Sequence, residues 1–583
     1  MSVKTKLLEI AGQVKVLPPE LHAAFRKTRS EFLTVGIYSL IINCLMLAPS
    51  IYMLQVYDRV MVSQSELTLL VSTLLLVGLL ALVGFTELLR SRLLVRAGIK
   101  LDQSLSPVLF SASLKAQQHK LQNNPAQIFS DLTQIRQFLT GNGVFAFFDS
   151  PWFFIYLGVL FLLHPMLGWL GVGCAAVLLC IAWVGHRLSV LPNKAVLEKN
   201  IALNSDQLGK FRNAEVIQAM GMLGNLRLQW WQRYQNQALA QGHLESLQYR
   251  LAAFSKFFRY AQQSLSLGMG ALLVIQGELS PGAMIVGNML MTRALQPLDL
   301  LVSSWRMMAA AQVSLMRVVD LLNVNTPSAP GKLSQIPFGQ LELKGLTVKV
   351  PGRMEPVLDN INLTLPAGRV ICIIGSSASG KSSLVRALLD LWPQREGSLL
   401  LDSAPMAQWN AQLLGRHIGY LPQDVGLLDG TLAQNIARFS KMDPEQVVTA
   451  AKAAGIHNLL LSFPKGYDTA VGEAGHLLSA GQRQRLALAR ALYGKPAMVI
   501  LDEPNANLDE VGEQSLLEAI RNLKEENKTV FLITHRKPIL ELSDLLIVMG
   551  AGRVAHFGPT QQVLADLQAG KVGKADKVGN ISV

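Results

Sequence analysis

Eight residues, Gly375-Ser376-Ser377-Ala378-Ser379-Gly380-Lys381-Ser382, fit the spacing G-x-x-x-x-G-K-[ST] of a loop that wraps phosphates. Backbone N–H groups of such a loop, together with the N-terminus of the helix that starts near Ser383, point at phosphate oxygens. Lys381 would then neutralise the β- and γ-phosphates, and the Ser382 hydroxyl would ligate Mg2+. A second chemical group is Asp502-Glu503-Pro504. A carboxylate at the end of a strand beside the phosphate loop can hold Mg2+ through water, a role that falls to Asp502, while Glu503 is placed to polarise an attacking water as general base. Two adjacent acids at a strand end can also be a solvated turn, but the companion motifs favour chemistry.

Leu478-Ser479-Ala480-Gly481-Gln482 opens the apolar-periodic run that ends at Leu492. Ser479 as N-cap and Gln482 three residues on form a capping box. The same geometry leaves a positive helix end and a serine facing outward, suited to a second phosphate contact.

The elements that must position these groups are readable nearby. Arg369-Val-Ile-Cys-Ile-Ile374 and Ala497-Met-Val-Ile-Leu501 are almost wholly apolar, as buried parallel strands are. Alternation from Leu341 to Val350 begins this soluble α/β part at about residue 337, and it runs to about 565. Residues 324–336, rich in Pro, Ser and Gly, read as a linker, and 566–583 as a disordered tail.

Half the residues of the 583-residue chain are hydrophobic and only 16% are charged, so a membrane part must accompany the soluble one. The net charge of +13 does not indicate nucleic acid, because the basic residues are dispersed and many flank apolar runs. Cys44, Cys174, Cys180 and Cys372 all lie in apolar segments at spacings of no metal site or disulfide framework. Residues 1–31 are polar and basic, show no signal peptide and are expected in the cytoplasm.

Residues 32–323 are expected to hold six spans. Two strong ones, 32–56 and 67–88, precede an amphipathic cytoplasmic stretch, 89–143. An apolar hairpin, 144–185, is broken only at His164-Pro165, and a second polar helical stretch follows to about 250. Spans near 252–276 and 282–303 are weaker. Lys256, Arg259 and Gln263 share one helical face there, either lining a water-filled substrate path or merely reaching the cytoplasm. Ser150 before Pro151 reads as an N-cap followed by a first-turn proline, and the role of Asp149 stays open.

Leu478–Gln482 resembles the signature of ATP-binding-cassette ATPases, usually Leu-Ser-Gly-Gly-Gln, with Ala480 as a small-for-small departure. The resemblance extends to Gln423 in Tyr420-Leu-Pro-Gln423, similar to the glutamine that senses Mg2+ and links the nucleotide site to the membrane domain. Asp509 is similar to the dimer-contact aspartate, His535 to the switch histidine on the γ-phosphate, and Gly472-Glu473 to an exporter loop that meets the coupling helices. Val350 stands where the family usually stacks an aromatic residue on adenine, so Arg353 or aliphatic contact must hold the base. The resemblance implies ATP and Mg2+ as ligands, and a homodimer in which Ser479 of one subunit completes the site around Lys381 of the other.

Leu47–Val60, Phe148–Trp152, Pro281–Ile285 and Arg293–Pro297 look like landmarks of bacterial type I secretion exporters for metalloproteases, lipases and haem-acquisition proteins. That likeness implies an all-α six-helix transmembrane domain followed by a cytoplasmic α/β P-loop ATPase domain in the inner membrane. It also implies a membrane-fusion adaptor, an outer-membrane channel and an unfolded polypeptide cargo with a C-terminal signal. A lipid or small-amphiphile exporter is the alternative. An ATP-gated channel or regulator is disfavoured by intact Glu503 and His535, and a peptidase-containing exporter by the lack of a protease domain before Phe32.

Overall fold

The computed structural model describes residues 17–118, 127–324, 331–349, 355–392, 395–472, 475 and 477–568. The adenine contact expected at Val350 or Arg353, Glu473 of the exporter loop, residues 325–330 of the linker and most of the tail lie outside the described residues. The chain folds as two compact units, Met1–Pro327 and Ser328–Val583.

The first unit is helical. Arg29–Ser63, Glu66–Gln117, Gln127–Leu163 and Pro165–Phe211 are long and apolar enough to cross a membrane. Glu66–Gln118 is one helix of 53 residues, which at about 1.5 Å per residue far exceeds a bilayer. The second span and residues 89–118 of the stretch after it are therefore one helix, with no break where the composition turns polar, and a separate helix, Gln127–Thr140, follows. The four helices apolar enough to cross a membrane by composition do not include Leu223–Ile275 and Pro281–Val324, within which the two weaker spans are expected. Lys256, Arg259 and Gln263 are exposed on the first of these, whereas Gln262 between them is buried.

Two charges of the spans are held by partners far away in sequence. Arg90 is only 4% exposed; its Nη1 donates to Ser39 Oγ at 3.0 Å and lies 3.5 Å from Asp149 Oδ1. Asn43 Nδ2 adds a 2.9 Å hydrogen bond to the same carboxylate, and the guanidinium sits 3.9 Å over the Phe145 ring. Asp149 thus completes a buried polar cluster spanning three helices, as an ion inside a membrane requires. Asp58, within the π-helical turn Val56–Val60, accepts from Gly282 N at 2.9 Å and Ser280 Oγ at 2.6 Å. It caps the helix Pro281–Val324 from the first span, satisfying backbone donors the helix cannot pair itself.

The N-cap expected at Ser150 is not formed. Ser150 ends the helix Asn142–Asp149, and its Oγ donates back to Phe147 O at 3.1 Å. Pro151 takes the cap position of Trp152–Leu163 with no side-chain bond. The chain stays near-helical through this corner, so no extended residue is present to turn a hydroxyl onto the next turn.

The second unit contains two sheets. Strands β1 (Leu341–Val348), β2 (Leu358–Leu365), β4 (Arg395–Leu401) and β5 (Ala404–Pro405) form an antiparallel sheet in the order β2-β1-β4-β5. Strands β3 (Val370–Gly375), β6 (Ile418–Leu421), β7 (Met498–Asp502), β8 (Thr529–Ile533), β9 (Leu545–Gly550) and β10 (Arg553–Pro559) form the other, in the order β10-β9-β3-β8-β7-β6. Strands β6, β7, β8, β3 and β9 run parallel, and every residue of β3, β7 and β8 is buried. Both faces of these strands are covered by apolar clusters, which accounts for their unbroken apolar runs.

Candidate functional site

The phosphate loop, the Asp502-Glu503 pair, Gln423 and His535 converge because strands β3, β7, β6 and β8 are neighbours running the same way, so all four loops leave the sheet at one end. Ligands of open parallel sheets bind at this carboxyl end.

Gly375 through Ser379 loop into the helix Lys381–Leu388. A Cβ on Gly375 would lie 2.4 Å from Met549 O, so only glycine fits where the loop leaves β3. Lys381 Nζ donates to Gly375 O and Ser376 O, each at 2.9 Å, and so lies folded along the loop. Loss of hydration pulls its ammonium below the usual lysine range, against the pull of Glu503 and Asp502. Ser379 Oγ is buried with no partner, a polar atom left for a ligand of this loop.

Ser382 Oγ is 3.4 Å from Asp502 Oδ1. Burial pushes the Asp502 carboxyl above its ordinary range and neighbouring Glu503 adds to this, while Ser382, Arg386 and Lys381 oppose it. A buried carboxylate beside a hydroxyl fits a hard cation that keeps several waters and takes its remaining ligands from phosphate. Among the described residues no group of three or more His, Cys, Asp or Glu is placed to hold a metal ion.

Glu503 has φ 51°, a left-handed conformation rare outside glycine, and its N–H donates to Ile533 O at 3.1 Å. Its Oε2 accepts from Gln423 Nε2 at 2.9 Å. His535 follows β8; loss of hydration and the Lys381 ammonium hold its ring below the usual imidazole range, with Glu503 opposing. Ser479 makes the expected capping box: its Oγ accepts from Gln482 N at 3.2 Å, and Gln482 Oε1 accepts from Ser479 N at 2.9 Å. Leu478 is buried, while in the first turn of the helix Ala480 is exposed and Gly481 half-buried. Asp509 caps the helix Glu510–Glu525 through Gly512 N at 2.9 Å and lies 3.8 Å from Arg485.

Gln484 was not singled out in the sequence. It is buried, and its Nε2 donates to Glu503 O at 3.1 Å and Pro504 O at 2.9 Å. Its signal was a polar residue on the inward face of the signature helix, which an apolar core leaves unexplained unless it bonds something.

Fold and site define an ATP-binding-cassette transporter. Residues 358–506 match the ABC transporter ATPase family and residues 32–298 the ABC transporter transmembrane region. The chain is 42% identical over 548 residues to the type I secretion system ATP-binding protein PrsD of Rhizobium meliloti, covering 94% of each. It is 29% identical over 553 residues to the toxin RTX-III translocation ATP-binding protein of Actinobacillus pleuropneumoniae, covering 92% of this chain and 76% of that one. A bacterial Atm1-family ABC exporter with ATP bound superposes with a TM-score of 0.81 at 21% identity, over 94% of this chain and all of that one, and shares the fold. The chain belongs to the ATP-binding-cassette exporters of bacterial type I secretion systems. It is a multi-pass inner-membrane protein that binds ATP and couples its hydrolysis, in a cytoplasmic domain, to transport.

Proposed function

We propose that this chain is the inner-membrane engine of a type I secretion system, exporting an unfolded polypeptide that bears a C-terminal signal. It works as a homodimer with a membrane-fusion adaptor and an outer-membrane channel. The observation that carries this reading is the relationship to a named secretion ATPase along 94% of both chains, through the membrane unit as well as the cassette. Residues 32–323 form the transmembrane domain and 337–565 the nucleotide-binding domain.

In the cassette, Gly375 to Ser383 hold the phosphates and Lys381 swings from the loop carbonyls onto them. Ser382, Asp502 and Gln423 would hold Mg2+, which would supply neutralisation of phosphate charge when bound with ATP. Glu503, oriented by Gln423, takes the proton of the attacking water, and His535 contacts the γ-phosphate. Leu478 to Gln482 present the helix end to the nucleotide of the partner subunit, and Asp509 lies at the dimer contact. Tighter ATP binding by the paired cassettes closes them, and hydrolysis reopens them, shifting the membrane unit between states.

The test is ATPase turnover of the reconstituted exporter, wild type against Glu503→Gln, with C-terminal peptides of candidate secreted proteins and their scrambled versions. Turnover lost in the variant, and altered in the wild type by one peptide alone, supports polypeptide export. Turnover that ignores every peptide but responds to lipids or small amphiphiles overturns it.

A further inference from the structure

Three residues at i, i+3 and i+4 of the signature helix Ala480–Leu492, one by its backbone and two by their side chains, meet the segment after β7. A Cβ on Gly481 would lie 2.6 Å from Asn507 O, so helix and loop backbones touch. Arg485 lies 3.8 Å from Asp509. Between them Gln484, only 4% exposed, spends its carboxamide N–H groups on the consecutive carbonyls of Glu503 and Pro504. Glu503 is thus held through its N–H by β8 and through its C=O by the signature helix, in a left-handed conformation.

That arrangement has a consequence for a dimer. The helix is capped by Ser479, which under the proposed function meets the partner subunit's nucleotide, and five residues later Gln484 grips the backbone of its own catalytic glutamate. We propose that Gln484 is a positioning residue that makes hydrolysis in one composite site depend on nucleotide in the other, by transmitting movement of the signature helix to Glu503. The inference rests on the composite-site reading of Ser479. The rigid helix carries the displacement, and the paired hydrogen bonds carry both direction and register, because two adjacent carbonyls fix the rotation of the peptide between them.

The test is the ATP dependence of turnover by the full-length exporter in lipid nanodiscs, comparing wild type with Gln484→Ala, Gln484→Glu, Gln484→Lys and Ser479→Ala. Wild type should respond sigmoidally. Gln484→Ala should lose about tenfold in kcat with KM changed less than about twofold, and its response should become hyperbolic. Gln484→Glu keeps the shape but faces both carbonyls without a donor, and should behave like the alanine variant. Gln484→Lys restores a donor and should recover part of kcat and the sigmoidal response. A hyperbolic wild-type curve, or a Gln484→Ala variant that remains sigmoidal while Ser479→Ala is inactive, overturns this inference alone. Ser479→Ala turning over at the wild-type rate overturns the composite-site reading beneath it.

Discussion

The Gln423 carboxamide donates a 2.9 Å hydrogen bond to the Glu503 carboxylate across 80 residues of sequence. A residue that follows β6 thereby sets the direction of the group proposed as general base at the end of β7.

Gln423→Ala should lower kcat by about tenfold, because it frees the carboxylate without removing it, and should weaken Mg-dependent ATP binding as well, because it removes a proposed Mg2+ contact. Glu503→Gln removes the base itself and should cost on the order of 100-fold or more in kcat. Steady-state turnover paired with nucleotide binding checks both, and a Gln423→Ala variant with wild-type kcat refutes the orienting role.

Asp502 is kept for chemistry at some cost to the empty cassette. Its carboxyl pKa is raised by burial, so between the ordinary carboxylate range and the raised value the folded state binds more protons than the unfolded chain. Stability from this group is present below that window and falls as pH rises through it. Asp502→Asn should therefore stabilise the nucleotide-free cassette at neutral pH by ~1 kcal/mol, a few degrees in thermal midpoint, while abolishing hydrolysis. Calorimetry without nucleotide reads the first effect and turnover the second.

His535 is shifted the other way. Its depressed imidazole stays neutral where a free histidine protonates, so the folded state binds fewer protons and this contribution to stability falls as pH drops through the ordinary imidazole range. The loss is complete only below the depressed value. Turnover should hold down to the lower end of that range and then fall as a second cation forms beside Lys381. A pH–rate profile breaking above the ordinary imidazole range contradicts this.

In the membrane unit, Asp149→Ala leaves the Arg90 guanidinium buried without its anion and should cost about 3 kcal/mol. The double variant Arg90→Met, Asp149→Ala should cost less than Asp149→Ala alone, because no unpaired charge remains. Thermal unfolding of the detergent-solubilised protein orders the three proteins.

Much of the cassette was legible because its signals are local. The loop Gly375–Ser382 and the apolar runs that became β3 and β7 each declare themselves within a few residues. The capping box at Ser479 needed only a four-residue window. Four of the six expected spans were legible for a similar reason, since a bilayer demands a minimum apolar length wherever it is crossed. Where a local rule competed with context it failed: Ser150-Pro151 has the composition of a cap, but packing kept the corner helical and the serine bonded backwards.

Sequence by itself determined the class of chemistry, the presence of an apolar and a soluble part, and the residue types at the phosphate loop. All of these follow from local pattern or from bulk transfer of apolar groups out of water. Only tertiary structure decided which distant groups share a charge or a hydrogen bond: Arg90 with Asp149, Asp58 with Gly282, Gln423 and Gln484 with Glu503. A buried polar atom must find a partner, but nothing in its own stretch of chain says whose, because that choice is made when the helices and strands pack.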